Sequence, residues 1–226
     1  MCLLLILLII MKESRDLSNL RKSYEKGLIS DDFKNFSPFF IFEKWFEEAK
    51  VDDTIIEPNA MTLSTFSMGQ YPKSRVVLLK KYSTKGFTFF TNYNSNKGKS
   101  ISRNNNVCLN FYWPSLEKQI IIMGNANKIA TKESDEYFYS RPRGSQIGAI
   151  VSNQSEIINS RDFLETKYKE LNEKYNKIQP RRPQNWGGYL VIPSLFEFWQ
   201  GRKNRLHDRL EFILNGNVWK SRRLSP

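Results

Sequence analysis

The sequence predicts a mainly β protein with flanking helices (α+β), its strands joined into an antiparallel barrel. Two observations carry this. From Asn59 to Ala130 short β-rich segments succeed one another with short connections, and a second set of strands fills Trp186 to Lys220. The longer helical patterns lie before and between these two runs. A closed barrel also removes exposed strand edges. The chain has 226 residues, no internal repeat and no linker, so one domain over residues 37–226 fits best.

Met1–Ile10 is wholly apolar but far short of the ~20 residues that a membrane-crossing helix needs. It lacks the basic start and small-residue cleavage site of a signal peptide. Met11 comes immediately after it and is the expected start of translation, which makes residues 1–10 a dispensable extension and a membrane anchor the lesser reading. Residues 11–36 form an arm: Lys12 to Gly27 is polar, mixed in charge, and reads as mobile and helical.

Ser37-Pro38 opens a helix, because serine suits the N-cap and proline the first helical position. Phe39, Phe42, Trp45, Phe46 and Ala49 recur at helical spacing and form a core-facing stripe. Pro58 closes the segment after this helix. The strands are then Ala60–Phe66, a turn at Met68-Gly69-Gln70, Ser74–Tyr82, a turn at Lys85-Gly86 into Phe87–Thr91, Val107–Trp113 and Gln119–Ala130. Lys132–Ser140 is helical. A second helix, capped by Ser160, runs to about Ile178 with Phe163, Leu164, Tyr168, Leu171 and Tyr175 along one face. Pro180-Arg181-Arg182-Pro183 is a stiff loop. Trp186–Ile192, Phe196–Gln200, Leu210–Leu214 and Val218–Lys220 complete the strands, with Asn215-Gly216-Asn217 as a hairpin turn.

Lys and Arg total 35 against 23 Asp and Glu, a formal charge of +12. Such an excess suits nucleic acid, a membrane surface or phosphorylated small molecules. Cys2 and Cys108 provide no disulfide framework and point to a reducing compartment, so a cytoplasmic location is expected. No Cys/His cluster is present, so no metal site is expected. Neither common glycine-rich nucleotide loop occurs, and any phosphate must be held by side chains.

The candidate side chains fall in groups. Arg75 and Lys80 bracket one strand; a period of 2 places Val77 and Leu79 with Arg75 and Lys80 opposite, so that one strand could address two ligands. An edge strand with protective charges is the bland alternative. Thr91 to Lys99 is a polar turn entering a helix, where backbone N–H groups and Lys97 suit an anion. Tyr137, Arg141 and Ser145 are spaced by four, close to one face of a helix, with Pro142 imposing a break. A guanidinium flanked by hydroxyls suits a phosphate. Finally, Phe196 to Gln200 alternates like a strand, Gly201 breaks it, and Arg202, Lys203, Arg205, His207 and Arg209 come next. These cations repel one another unless an anion sits among them, and Trp199 offers a flat face for a ring. A basic surface hairpin is the bland reading of this stretch.

Phe196-Glu197-Phe198-Trp199-Gln200, four residues, then Arg205-Leu206-His207-Asp208-Arg209 resembles the C-terminal signature of the pyridoxine/pyridoxamine 5′-phosphate oxidase family. Arg75–Lys80, Phe90-Thr91-Asn92 and Tyr137–Ala149 resemble the same family in the same order, and Arg21-Lys22-Ser23-Tyr24 resembles its N-terminal arm more loosely. The resemblance spans about Arg21 to Pro226. It implies an FMN-binding split β-barrel, a homodimer with FMN held non-covalently between the subunits. Carried over by position, Arg75, Val76, Val77, Leu78, Leu79 and Lys80 would hold FMN, together with Phe90, Thr91, Asn96, Lys97, Gln119, Gln154, Ser155, Trp199 and Arg209. Position 96, here asparagine, is usually arginine in the family. Lys80, Tyr137, Arg141 and Ser145 would bind the substrate phosphate. Arg205, Leu206 and His207 would meet its pyridine ring, with Arg205 and His207 acting in catalysis, and Arg21 and Tyr24 would form a lid.

The implied reaction oxidises pyridoxine 5′-phosphate or pyridoxamine 5′-phosphate to pyridoxal 5′-phosphate, with dioxygen as acceptor and hydrogen peroxide as product. No nucleic acid or membrane partner is implied. Two rivals are a related flavin split-barrel reductase with another substrate, against which the Arg205/His207 and Tyr137/Arg141/Ser145 sets speak, and a basic RNA-binding barrel. The latter would need exposed stacking aromatics such as Phe87, Phe89 and Trp113.

Overall fold

The computed structural model describes residues 16–66 and 71–226. The apolar extension 1–10, the start at Met11, the first residues of the arm and the turn at Met68-Gly69-Gln70 lie outside the described residues.

Helix α1 (Pro38–Val51) begins where the Ser37 side chain accepts a hydrogen bond from the Phe39 N–H, with Pro38 in the first turn. It buries Ile41, Phe42, Trp45, Phe46 and Ala49 against the sheet. Ring contacts fix its seat: Phe42 meets Phe87 at 4.8 Å and Phe111 at 5.4 Å, and Trp45 meets Phe198 at 5.3 Å. Each such buried aromatic contributes roughly 1.5–3 kcal/mol of transfer free energy. Phe87, Phe89 and Trp113 are all interior, so none of them is a surface platform for stacking bases.

The strands are β1 (Ala60–Thr65), β2 (Lys73–Leu78), β3 (Lys81–Ser83), β4 (Gly86–Asn92), β5 (Asn106–Trp113), β6 (Lys118–Lys128), β7 (Trp186–Gln200), β8 (Asp208–Asn215) and β9 (Val218–Leu224). The remaining helices are α2 (Asn96–Arg103), α3 (Thr131–Ser140), α4 (Arg143–Val151) and α5 (Arg161–Lys174). The strands pair in the order β2-β1-β5-β6-β7-β4-β3, and β8 and β9 extend from β7. Every pairing is antiparallel. Strand β6 runs beside one edge of β7 along its length, whereas the other edge of β7 pairs with β4 over Trp186–Val191 and with β8 over Leu195–Gln200. One strand therefore serves two curled halves, and the result is a split half-barrel flanked by helices, in agreement with the predicted fold class.

Several boundaries depart from expectation. Trp186–Ile192 and Phe196–Gln200 are one strand, because a register shift opposite Met123/Gly124 absorbs Pro193 and Ser194 as a bulge. Proline has no N–H to give the ladder, and a bulge tolerates that loss. Conversely, the expected strand Ser74–Tyr82 is two. The chain changes partners after Leu79: the Leu79 N–H still goes to Asn59 O, directly before β1, at 2.8 Å, whereas the Lys80 N–H goes to Thr88 O in β4 at 2.9 Å. The helix expected to reach Ile178 ends at Lys174; none of its residues is fully buried, and Phe163 is exposed. Residues 16–27, where a helix is expected, form none and make a turn at Ser18 and Asn19; the helical part of the arm is the short 3-10 turn Asp31–Asn35. No helix among the described residues is long and apolar enough to cross a membrane.

Candidate functional site

A cavity of about 860 Å³ opens where β2, β4, α2 and the α3–α4 corner meet. Arg75, Val76, Val77 and Leu78 reach it from β2, and Lys80 from the link to β3. The break after Leu78 overturns the expected alternation: Leu79 turns into the core, 4% exposed, while Lys80 faces the same cavity as Arg75. The Arg75 guanidinium is held from behind by Leu63 O at 3.0 Å and Thr65 Oγ1 at 2.9 Å.

Phe90 and Thr91 enter from β4, and the Thr91 hydroxyl donates to Gln154 Oε1 at 3.1 Å. Beyond β4 the turn folds tightly enough that a Cβ on Gly98 would lie 2.1 Å from Tyr93 O, so glycine is required there. Ser95 caps α2 through the Gly98 N–H, and Lys97 is brought into the cavity wall. Lys97 is 7% exposed. Burial, reinforced by the charge of Arg75, pushes its ammonium pKa down to about 8. Asn96, by contrast, is exposed and does not line the cavity; its backbone N–H donates to Ser155 Oγ at 3.2 Å.

Helix α3 ends at Ser140, Arg141 is extended, and Pro142 precedes α4. The Gln146 amide holds this corner by donating to Tyr139 O and Arg141 O at 3.3 and 2.8 Å. Although the helix is interrupted, Tyr137, Arg141 and Ser145 all line the cavity. Tyr137 stacks on Phe90 at 3.8 Å. Arg141 lies over the Trp186 ring at 4.6 Å, and its Nη1 is buried without a partner among the described residues. Trp186, Asn92 and Ser152 also line the wall; sequence reasoning assigned them no role, although Asn92 lies in the Phe90-Thr91-Asn92 motif and Ser152 in the run of small polar donors that ends at Ser155.

A second cluster sits elsewhere on the sheet and shares no lining residue with this cavity. Gln119, Trp199 and Arg209 form one row across β6, β7 and β8. Arg209 donates from Nε to Glu197 Oε1 at 2.7 Å, which raises its pKa, and from Nη1 to Ser225 O at 2.8 Å. After Gly201 the chain makes a short turn, Lys203–Arg205, in which Asn204 and Arg205 are both left-handed, at φ 56° and 62°. Neither is glycine, so this turn carries strain of order 1–3 kcal/mol per residue.

The His207 ring lies 4.7 Å from that of Trp199, and Tyr24 of the arm packs edge-on to both, at 5.7 Å from Trp199 and 5.5 Å from His207. Arg205 stands over the Tyr24 ring at 5.8 Å. Burial and the Arg205 charge lower the His207 pKa. Leu206 and Arg21 are exposed. Most of the predicted residues thus form two sets, a cation-rich cavity and an aromatic platform with an arm across it; Leu79 lies in the core, and Asn96 and Ser155, joined to each other, are not in the cavity lining.

Two family models match the chain: "Pyridoxamine 5′-phosphate oxidase" over residues 47–175 and "Pyridoxine 5′-phosphate oxidase C-terminal dimerisation region" over 186–226. The pyridoxine/pyridoxamine 5′-phosphate oxidase of Flavobacterium psychrophilum is 52% identical over 213 residues, 94% of this chain and 100% of that protein. The protein of the same name from Trichormus variabilis is 48% identical over 213 residues, 94% of this chain and 99% of its own. Among solved structures, PhzG from Burkholderia lata, in complex with tetrahydrophenazine-1-carboxylic acid, superposes with a TM-score of 0.82 at 27% identity, covering 91% of this chain and all of that one. A pyridoxamine 5′-phosphate oxidase-related, FMN-binding protein from Nostoc punctiforme shares the fold at a TM-score of 0.67 and 13% identity, covering 85% of this chain and 100% of that one.

Proposed function

The chain belongs to the pyridoxine/pyridoxamine 5′-phosphate oxidase family, and from that premise we propose that it oxidises pyridoxine 5′-phosphate and pyridoxamine 5′-phosphate to pyridoxal 5′-phosphate with FMN as cofactor. The observation that carries the reading is the uncompensated positive charge of the cavity. Lys97 and Arg75 repel each other in a desolvated wall, and Arg141 keeps a buried N–H without an acceptor among the described residues. Both are costs that a bound phosphate removes. The donor set therefore fits a flavin mononucleotide and a phosphorylated substrate.

In this reading Arg75, Lys97, Thr91, Gln154 and Ser155 hold the FMN phosphate and ribityl chain, with the β2 backbone of Val76, Val77 and Leu78 alongside. Lys80, Tyr137, Arg141 and Ser145 hold the substrate phosphate; bidentate guanidinium contact fixes both its position and its orientation. The second cluster belongs to the same site through a second copy of the chain. Gln119, Trp199 and Arg209 of one subunit complete the flavin site of the other, and Arg205 and His207 orient the pyridine ring. Support for the sharing comes from two half-sites that are apart within one chain and from a C-terminal region described as a dimerisation region. Arg21 and Tyr24 cover the ring and exclude water. We take residues 37–226 as one catalytic domain and residues before it as the arm.

The chemistry supplied by the flavin is two-electron oxidation at the substrate C4′, with dioxygen as final acceptor, hydrogen peroxide as product, and ammonia released in addition from the amine substrate with uptake of water. The test is turnover by purified protein carrying FMN: formation of pyridoxal 5′-phosphate with equimolar peroxide is expected. A flavin-loaded protein that reduces other acceptors but leaves both B6 phosphates untouched overturns the reading.

A further inference from the structure

We infer that Glu117 is a positioning residue, a latch that fastens the N-terminal arm so that Tyr24 stays over the Trp199/His207 platform. The inference rests on the proposed function, in which that platform meets the substrate ring. Glu117 comes directly after the short 3-10 turn Pro114–Leu116, far in sequence from the arm and two residues before Gln119 of the platform row. Its carboxylate is nearly inaccessible, the residue being 6% exposed. One oxygen, Oε2, accepts the backbone N–H groups of Glu25 at 2.8 Å and Lys26 at 2.9 Å. These are the two residues directly after Tyr24. A buried carboxylate needs such donors, and hydrogen bonds to an ionised acceptor are the strong ones.

The backbone of Glu117 is tied to the other side of the same clasp. Its carbonyl accepts the Gly201 N–H at 2.8 Å and the Gln200 amide at 3.1 Å. Gly201 has no room for a side chain: a Cβ there would lie 2.8 Å from Tyr24 Cγ and 3.1 Å from Glu117 Cβ. Tyr24, Glu117 and Gly201 are thus packed face to face at the end of β7, where the Arg205/His207 turn begins. Surface contacts add to the clasp, with Lys203 to Glu25 at 3.3 Å and Arg202 Nη1 to Gly27 O at 3.3 Å. These are exposed or half-exposed pairs and weak by comparison.

The conformation of Glu117 points the same way. It is left-handed, at φ 55° and ψ 36°, where glycine or asparagine is favoured. A turn needing only to close would take glycine. A glutamate held there against its backbone preference is explained by what its side chain binds.

Glycine therefore makes the informative variant, since Glu117→Gly removes the latch and relieves the backbone. In the FMN-loaded protein its melting temperature is expected to stay at or above that of the parent. Tryptic cleavage of the Lys26–Gly27 bond is expected to quicken at least tenfold. KM for pyridoxine 5′-phosphate is expected to rise about tenfold, equivalent to about 1.4 kcal/mol, with kcat within about twofold. Glu117→Gln, which can still accept from both N–H groups, should restore most of the parent KM. In a Tyr24→Ala background Glu117→Gly should change KM no further. An unchanged cleavage rate overturns the latch. Faster cleavage with unchanged KM, or full additivity with Tyr24→Ala, overturns its positioning role. Absence of turnover in the parent protein overturns the proposed function and leaves the cleavage result to judge the latch alone.

Discussion

The backbone N–H of Arg202 donates to Nδ1 of His207 at 3.1 Å. A ring nitrogen that accepts cannot carry a proton, so His207 is neutral with its proton on Nε2. Burial and the charge of Arg205 act in the same direction, holding its pKa below the ordinary 6.5. His207 is the chain's only histidine, so its ring resonance titrates alone in a proton NMR spectrum. Its midpoint is expected below 6.5. With the folded pKa depressed, the unfolded chain takes up the proton first as pH falls. The contribution of His207 to stability is therefore full above about 6.5 and declines below it. A midpoint at or above 6.5 contradicts the hydrogen-bond assignment.

Lys97 carries the opposite kind of cost, one that ligand binding relieves. Its pKa of about 8 against an ordinary 10.5 means that the folded protein without cofactor is burdened by the ammonium below pH 8, and the burden fades between pH 8 and 10.5. Lys97→Met should raise the unfolding free energy of cofactor-free protein at pH 7 by at most about 3.5 kcal/mol, since one pKa unit corresponds to about 1.4 kcal/mol. The same change should weaken FMN binding. Denaturant unfolding and FMN titration measure the two effects; a Lys97→Met variant no more stable than the parent at pH 7 contradicts the assigned burial cost.

Arg141 should separate substrate from cofactor. Arg141→Met removes the buried N–H that lacks a partner among the described residues. One hydrogen bond to a charged group contributes about 1.5–3 kcal/mol, so KM for pyridoxine 5′-phosphate should rise about 10- to 100-fold. The bound flavin spectrum should persist. Loss of FMN with unchanged KM after reconstitution would move Arg141 to the flavin.

Much of this was legible from local sequence, and the parts that were not have identifiable causes. Helix α1 was readable because Ser37-Pro38 and its apolar period state both its start and its buried face. Tyr137, Arg141 and Ser145 were grouped by their spacing, and the break at Pro142 did not separate them. The change of strand partner after Leu79 was hidden because the continuous apolar run Val76-Val77-Leu78-Leu79 carries no local mark of it. Pro193 looked like a strand end because the bulge that accommodates it is set by β6, far away in sequence. The arm looked helical by composition, but its conformation is imposed by Glu117, Arg202 and Asp208. The left-handed pair Asn204 and Arg205, and the cation–π seat of Arg141 on Trp186, are likewise products of tertiary packing.

The proposed function turns on a site assembled from two copies of the chain, and complementation between two variants of low kcat/KM, assayed with pyridoxine 5′-phosphate well below the KM of the unmodified protein, tests this most directly. Arg141→Met impairs the cavity, and Arg205→Leu impairs the platform. Random pairing of the two chains makes about half of the dimers mixed, each with one of its two sites free of both changes, so about a quarter of parental activity should return. Pyridoxal 5′-phosphate formation by the co-expressed pair, against each variant alone, is the measurement. Recovery near a quarter is the predicted result. A mixture no more active than its parents, with mixed dimers demonstrably present, contradicts a shared site.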